Sequence, residues 1–314
     1  MVNLDIITGF LGAGKTTLIN KLLAEAYIGE KPFLIENEFG EVGIDDSLIE
    51  DDEIQVRLLT SGCICCTLKG DFVDGITQVV EQYSPSRIII EPTGLAAPSD
   101  ILSACEEAGK KVPVRVNAFI TLANAKNLLL ILAAPIDLFK KQISDANILV
   151  LNRTKSLSPE ELNKTMEAIK NLNPNCIILD QDRQQMDSLS ILTLAEDAAK
   201  PCSSHSCEHD HEHMHSIEGL ENISSLAFFP EKLFSTKELT GLFTEFSEKR
   251  CGHILRAKGF LKTENGYAHL EYVYGQGEIL DNAYTGPPKF VIIGIGLDKN
   301  AISHMLGEDG KSKD

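Results

Sequence analysis

The clearest chemistry in this chain lies in Gly9-Phe10-Leu11-Gly12-Ala13-Gly14-Lys15-Thr16, a G-x4-G-K-[ST] pattern. Glycines at that spacing let successive backbone N–H groups turn inward around phosphate oxygens, and a helix opening at the lysine adds the partial positive charge of its N-terminus. On this reading Gly12, Ala13, Gly14 and Thr17 help form the cradle. Lys15 reaches the outer phosphates and Thr16 offers its hydroxyl to magnesium. The flanks agree: Leu4, Ile6 and Ile7 predict a short strand before the loop, and Leu18, Ile19, Leu22 and Leu23 give residues 16–27 helical spacing. The expectation is a nucleoside triphosphate site.

A second acid belongs with that site. Arg87 leads into Ile88-Ile89-Ile90 and then Glu91-Pro92-Thr93-Gly94. A strand ending this way places a carboxylate at the carboxyl edge of an open α/β sheet, where ligands bind. Glu91 is expected to act through magnesium-bound water and the Gly94 N–H to face the γ-phosphate. No glutamine stands near Gly94 in the sequence to orient a catalytic water.

Three further clusters point to metal. Residues 36–46 hold five carboxylates (Glu36, Glu38, Glu41, Asp45 and Asp46) interleaved with glycines after a predicted strand over 32–35. They read as an acidic loop in the place of a switch segment sensing magnesium and the γ-phosphate. Gly62-Cys63-Ile64-Cys65-Cys66 runs into a predicted helix, and thiols at a helix N-terminus favour the thiolate that binds borderline metals. Sulfur with carboxylate suits zinc or cobalt. Residues 201–216 hold Cys202, Cys207 and five of the eight histidines, among them His209, His211 and His213, with no apolar period. That is a linker able to capture metal at modest affinity.

Strands and helices alternate around these motifs. Strands are expected over 112–122, 148–151 and 176–179. Helical sequence spans 123–147, broken at Pro135, then 159–172 with Ser158 as N-cap, and 186–199. The fold class is α/β: a P-loop NTPase with a mostly parallel sheet and helices on both faces, plus a smaller α+β C-terminal domain. The domains are expected at 1–200, a His-rich linker at 201–218, and 219–314. In the last, strands are expected over 223–229, 253–262, 267–274 and 290–295, with helices at 235–249 and near Asn300.

The composition narrows the partners. The 314 residues carry a formal net charge of −17, which argues against nucleic acid or an anionic membrane and is compatible with metal cations. The first residues run straight into a strand without a signal-peptide pattern, and no apolar stretch is long enough to span a membrane. Eight cysteines without a secretory signal point to thiols and metal in a cytoplasmic setting.

Taken in order, the phosphate loop, Glu36-Asn37-Glu38-Phe39-Gly40-Glu41-Val42-Gly43, the Cys63–Cys66 segment, Glu91-Pro92-Thr93-Gly94, the His-rich linker and Arg256-Ala257-Lys258-Gly259-Phe260 resemble the CobW/YjiA-type P-loop GTPases. The resemblance covers nearly the whole chain, residues 3–300. It implies a slow GTP hydrolase acting as a metallochaperone, with magnesium and with zinc or cobalt as cargo. Its partner would be a client metalloprotein or cofactor-synthesis enzyme, and a homodimer is open to it. It further implies Cys65 with Cys63 or Cys66 as the metal site, Glu36 and Glu41 as added ligands, and Asn152 and Arg153 beside the base. One position departs. The family reads guanine with an Asp in Asn-Lys-x-Asp, and here the segment is Asn152-Arg153-Thr154-Lys155. Lysine only donates, so weaker discrimination between GTP and ATP is expected. A different class stays in view, a metal buffer or sensor with relaxed base recognition and little turnover.

Overall fold

The computed structural model describes residues 1–28, 30, 32–39, 55–61, 68–94, 96–134, 136–180, 187–199, 223–248, 250–281, 284 and 286–308. The chain divides into two compact units, each built around its own sheet.

In the first unit the strands are β1 (Val2–Gly9), β2 (Phe33–Phe39), β3 (Gln55–Ser61), β4 (Arg87–Glu91), β5 (Val114–Asn124), β6 (Ile148–Asn152) and β7 (Ile177–Asp180). They pair in the order β3-β2-β4-β1-β5-β6-β7, and every pairing is parallel. A parallel strand covered on both faces reads as a continuous apolar run; Ile88, Ile89 and Ile90 of β4 are all fully buried. On one face Leu4, Ile6, Phe33, Ile35, Ile88 and Ile90 meet α2 (Leu68–Tyr83) and α3 (Pro98–Lys111) through Phe72, Ile76, Ile101 and Ala108. Each such side chain contributes about 1.5–3 kcal/mol of burial. Further helices are α1 (Lys15–Glu25), α4 (Ala125–Leu132), α5 (Asp137–Ser144), α6 (Pro159–Leu172) and α7 (Ser188–Ala199). Ser158 caps α6 through a complete capping box with Glu161.

Several expectations need correction. The strand expected over 32–35 continues through Phe39, so Glu36 is a strand residue, 5% exposed, and not part of a solvated loop. It lies in the middle of β2, in register with Glu91 at the carboxyl end of β4. Strand β3 and helix α3 went unassigned in the sequence.

The second unit contains β8 (Ile223–Phe228), α8 (Thr236–Ser247), β9 (His253–Thr263), β10 (Gly266–Val273), β11 (Gln276–Asp281), β12 (Lys289–Ile295) and α9 (Lys299–Leu306). Its sheet is antiparallel, ordered β11-β10-β9-β12-β8, and one face packs on α8 and α9 through Leu239, Leu242, Phe246, Leu261, Leu270, Phe290, Ile302 and Leu306. Strand β11 was not expected. Its sequence is largely polar, and what fixes it is the tight turn at Tyr274 (φ 47°) and Gly275 (φ 85°), two positive-φ residues between paired Val273 and Gln276.

A buried charge network ties β1 to β4, β5 and the segment that follows α1. Asp5 is 1% exposed and accepts hydrogen bonds from Tyr27 Oη (2.7 Å), Asn117 Nδ2 (2.8 Å) and the Arg87 guanidinium. Arg87 also pairs with Glu30 (2.9 Å) and lies over the Tyr27 ring. Burial opposes the Arg87 charge, but the Glu30 hydrogen bond and the Asp5 charge outweigh it and raise its pKa. Burial, then the Asp5 charge, raises that of Tyr27. Removing one partner of such a pair strands the other. Asp5→Asn is expected to destabilise the first unit by about 3–5 kcal/mol, read as a lower urea midpoint; an unchanged midpoint would show the network to be dispensable.

Candidate nucleotide site

The phosphate loop sits where β1 ends. Gly12 (φ 67°) and Gly14 (φ 92°) take left-handed conformations, and at Gly14 an added Cβ would also lie 3.0 Å from Asn152 Nδ2. The variable positions between the glycines are mostly anchors: Phe10, Leu11 and Ala13 are all buried, and the Phe10 ring packs on Phe139 of α5 at 6.1 Å. Phe10 N–H donates to Leu122 O (3.1 Å) and Asn152 Nδ2 to Ala13 O (2.7 Å), so β5 and β6 both hold the loop. Asn152, expected beside the base, is thus also a clamp on the loop backbone.

Helix α1 starts at Lys15 with Gly14 as N-cap, no side-chain cap and no acid in its first turn. Its leading N–H groups are not taken by a capping side chain, the arrangement that suits phosphate oxygens. The Lys15 amino group is buried and donates to Gly9 O (3.3 Å) and Phe10 O (3.4 Å). Thr17 is exposed in the first turn. Thr16 Oγ1 lies 3.4 Å from each Glu91 carboxylate oxygen, at the long limit of a hydrogen bond. A hydroxyl and a carboxylate this close are hard oxygen donors of the kind magnesium prefers, so these residues fit that ion. Glu36 adds a buried carboxylate one strand away.

Gly94 stands against the loop. A Cβ there would come within 2.8 Å of Leu11 N, so only glycine permits this approach. The turn after β4 is closed by Ala96 N–H to Thr93 O (3.0 Å). Behind it lies a residue the sequence gave no reason to place there: Gln142 of α5, fully buried, donates from Nε2 to Gly94 O (3.0 Å) and Ala96 O (3.2 Å). A glutamine therefore does stand beside Gly94, brought from 48 positions away. The available signal was an amide in the buried stripe Leu138, Phe139, Gln142, Ile143 of an amphipathic helix.

At the ends of β6 and β7, Arg153 is exposed in a left-handed conformation (φ 59°) and Lys155 is exposed. Between them Thr154 is buried and donates to Asp180 Oδ1 (2.5 Å), placing a buried carboxylate beside the segment where the expected Asp is replaced. The structure thus joins Lys15, Thr16, Glu91, Gly94 and Asn152 around one loop. Cys63, Cys65, Cys66, Glu41, His209, His211 and His213 lie outside the described residues. Among the described residues no group of three or more His, Cys, Asp or Glu could hold a metal ion. The thiols of Cys105 and Cys176 are buried, and that burial pushes them up to about 12 and about 11.

The close contact at Gly94 has a direct consequence. Gly94→Ala is expected to lower nucleotide turnover about 100-fold by displacing the turn or the loop, with the circular dichroism spectrum unchanged. Wild-type turnover in that variant would show that the contact does not matter.

The family model of the CobW/HypB/UreG nucleotide-binding domain matches residues 3–180, and that of the cobalamin synthesis protein cobW C-terminal domain matches residues 223–308. The chain is similar to zinc chaperone YeiR of Escherichia coli, 36% identical over 160 residues covering 51% of this chain and 49% of that protein. It is similar to zinc chaperone CobW of Pseudomonas aeruginosa, 28% identical over 342 residues and covering 96% and 89% of the two chains. Zinc-regulated GTPase metalloprotein activator 1 of Schizosaccharomyces pombe is 32% identical over 197 residues, covering 60% and 48%. The first and third matches span about half the length of those relatives. With both family models matched in order along one chain, the protein belongs to the CobW/HypB/UreG family of P-loop GTPases and carries the CobW C-terminal domain.

Proposed function

We propose that this protein is a slow, nucleotide-gated metallochaperone that hydrolyses GTP and hands zinc to a client metalloprotein or cofactor-synthesis enzyme. The observation that carries the reading is the strand order. Because β3, β2, β4 and β1 are adjacent and parallel, their carboxyl ends share one edge of the sheet. From that edge the chain leaves β1 into the phosphate loop, β4 into Glu91-Pro92-Thr93-Gly94, β2 toward Glu41, and β3 toward Cys63, Cys65 and Cys66. Zinc enters as cargo, and the relatives' names favour it over cobalt, which the thiolate and carboxylate ligands would also accept.

Within the site, Lys15 exchanges its carbonyl acceptors for phosphate oxygens and the Gly94 N–H meets the γ-phosphate. Thr16 and Glu91 would hold magnesium, which would supply neutralisation of the charge developing on the transferred phosphoryl group. Glu36, next to Glu91 in register, links the nucleotide end of the site to the acidic segment that follows β2. Residues 201–218, with His209, His211 and His213, serve as a metal-capturing linker ahead of the thiolate site.

Two measurements test this. Cys65→Ala should abolish the GTP-dependent part of zinc binding in a calorimetric titration, and an unchanged zinc affinity with GTP would sink the assignment. In the base pocket Lys155 opposes the guanine N1–H and amino donors, so GTP and ATP should bind within about tenfold of one another. A guanine preference far beyond that would show that another group, such as Asp180, reads the base.

A further inference from the structure

Gln142 is held in a way that packing alone does not explain. It occupies a fully buried position on α5 where its helical neighbours Leu138, Phe139 and Ile143 are core residues. Both of its hydrogen bonds among the described residues run from one nitrogen to the turn after β4, at Gly94 O and Ala96 O. Its Oε1 is buried with no hydrogen-bond partner among the described residues. A buried acceptor without a donor is unfavourable, and an apolar residue would fill the same space without it. What the amide supplies, and a methionine or leucine would not, is a donor shared between two carbonyls of one turn.

That turn is constrained on three sides. The Thr93 carbonyl faces inward to accept from Ala96 N–H. In a trans peptide the N–H points opposite to the carbonyl, so the Gly94 N–H faces out of the turn. In front, Gly94 abuts Leu11 of the phosphate loop, and behind, Gln142 fixes the next carbonyl. Helix α5 is itself tied to the loop by Phe139 against Phe10. One helix therefore braces both the loop that grips phosphate and the turn that stands over it.

We propose that Gln142 is a positioning residue that presents the Gly94 N–H to the terminal phosphate, so that it sets the preference for nucleoside triphosphate over diphosphate. This rests on the reading of the loop as a nucleotide site. Gln142 touches no nucleotide atom; it acts through the Gly94 peptide.

The test uses the full chain with magnesium, titrated calorimetrically with GDP and with a non-hydrolysable GTP analogue. Gln142→Met keeps the volume and removes the donor. It should bind GDP within about twofold of wild type and the triphosphate analogue at least about tenfold more weakly. Gln142→Glu supplies a second readout. In this buried place, facing two carbonyl oxygens, its carboxyl is held protonated at neutral pH and remains a donor, so the triphosphate preference should be kept at neutral pH and lost as alkaline pH ionises the group. Equal losses for both nucleotides, or wild-type discrimination in Gln142→Met, would overturn the proposal. Wild-type protein that binds neither nucleotide would instead overturn the underlying reading of the loop, and this inference with it.

Discussion

The rest of the first unit depends on one geometric constraint: β1 lies between β4 and β5 in a sheet whose strands all run the same way. Parallel strands need crossover connections, so each strand end at the carboxyl edge opens into a segment that does not simply turn back. The central position of β1 places the phosphate loop with the Glu91 turn on one side and the end of β5 on the other. The hydrogen bond from Phe10 N–H to Leu122 O and the close approach of Gly94 to Leu11 are both products of that placement. The helices supply burial on the faces, and the chemistry collects at the edge.

Charge is distributed to match. The buried Asp5–Arg87 pair, with Tyr27, Asn117 and Glu30, fixes β1 against β4 from within, and every Asp5 partner is a donor. At the carboxyl edge the logic is reversed. Glu36 and Glu91 stand side by side as carboxylates, a placement that repels unless a cation lies near. One network stabilises the sheet through satisfied charge, while the other gathers carboxylates of the kind a divalent ion takes.

Most of this was legible in the sequence where the cause is local. The phosphate loop is contiguous, the strand before it is apolar, and the α6 and α8 starts carry Ser-x-x-Glu boxes that the structure forms in full. What escaped depends on partners far away along the chain. Gln142 meets Gly94 across 48 residues and Arg87 meets Asp5 across 82, and nothing near either residue announces the other. Glu36 was read as loop because acids favour solvent, yet it is a mid-strand residue level with the carboxyl end of β4, beside the edge where ligands bind. Strands β3 and β11 were missed for different reasons. The first was read only as the approach to the cysteines, and the second lacks an apolar alternation and is set by its turn.

The strand order also bears on how such a protein changes over generations. Strand β3 is an edge strand, bonded to β2 alone, whereas β4 and β1 are paired on both sides. An acidic segment and a cysteine-bearing segment follow β2 and β3, toward one side of the sheet, and the phosphate-handling segments follow β4 and β1. Substitution, lengthening or loss of either segment leaves the interior pairings of β4, β1 and β5 intact. A lineage can therefore rewrite the segments at one side of the sheet while the nucleotide-binding centre is inherited unchanged.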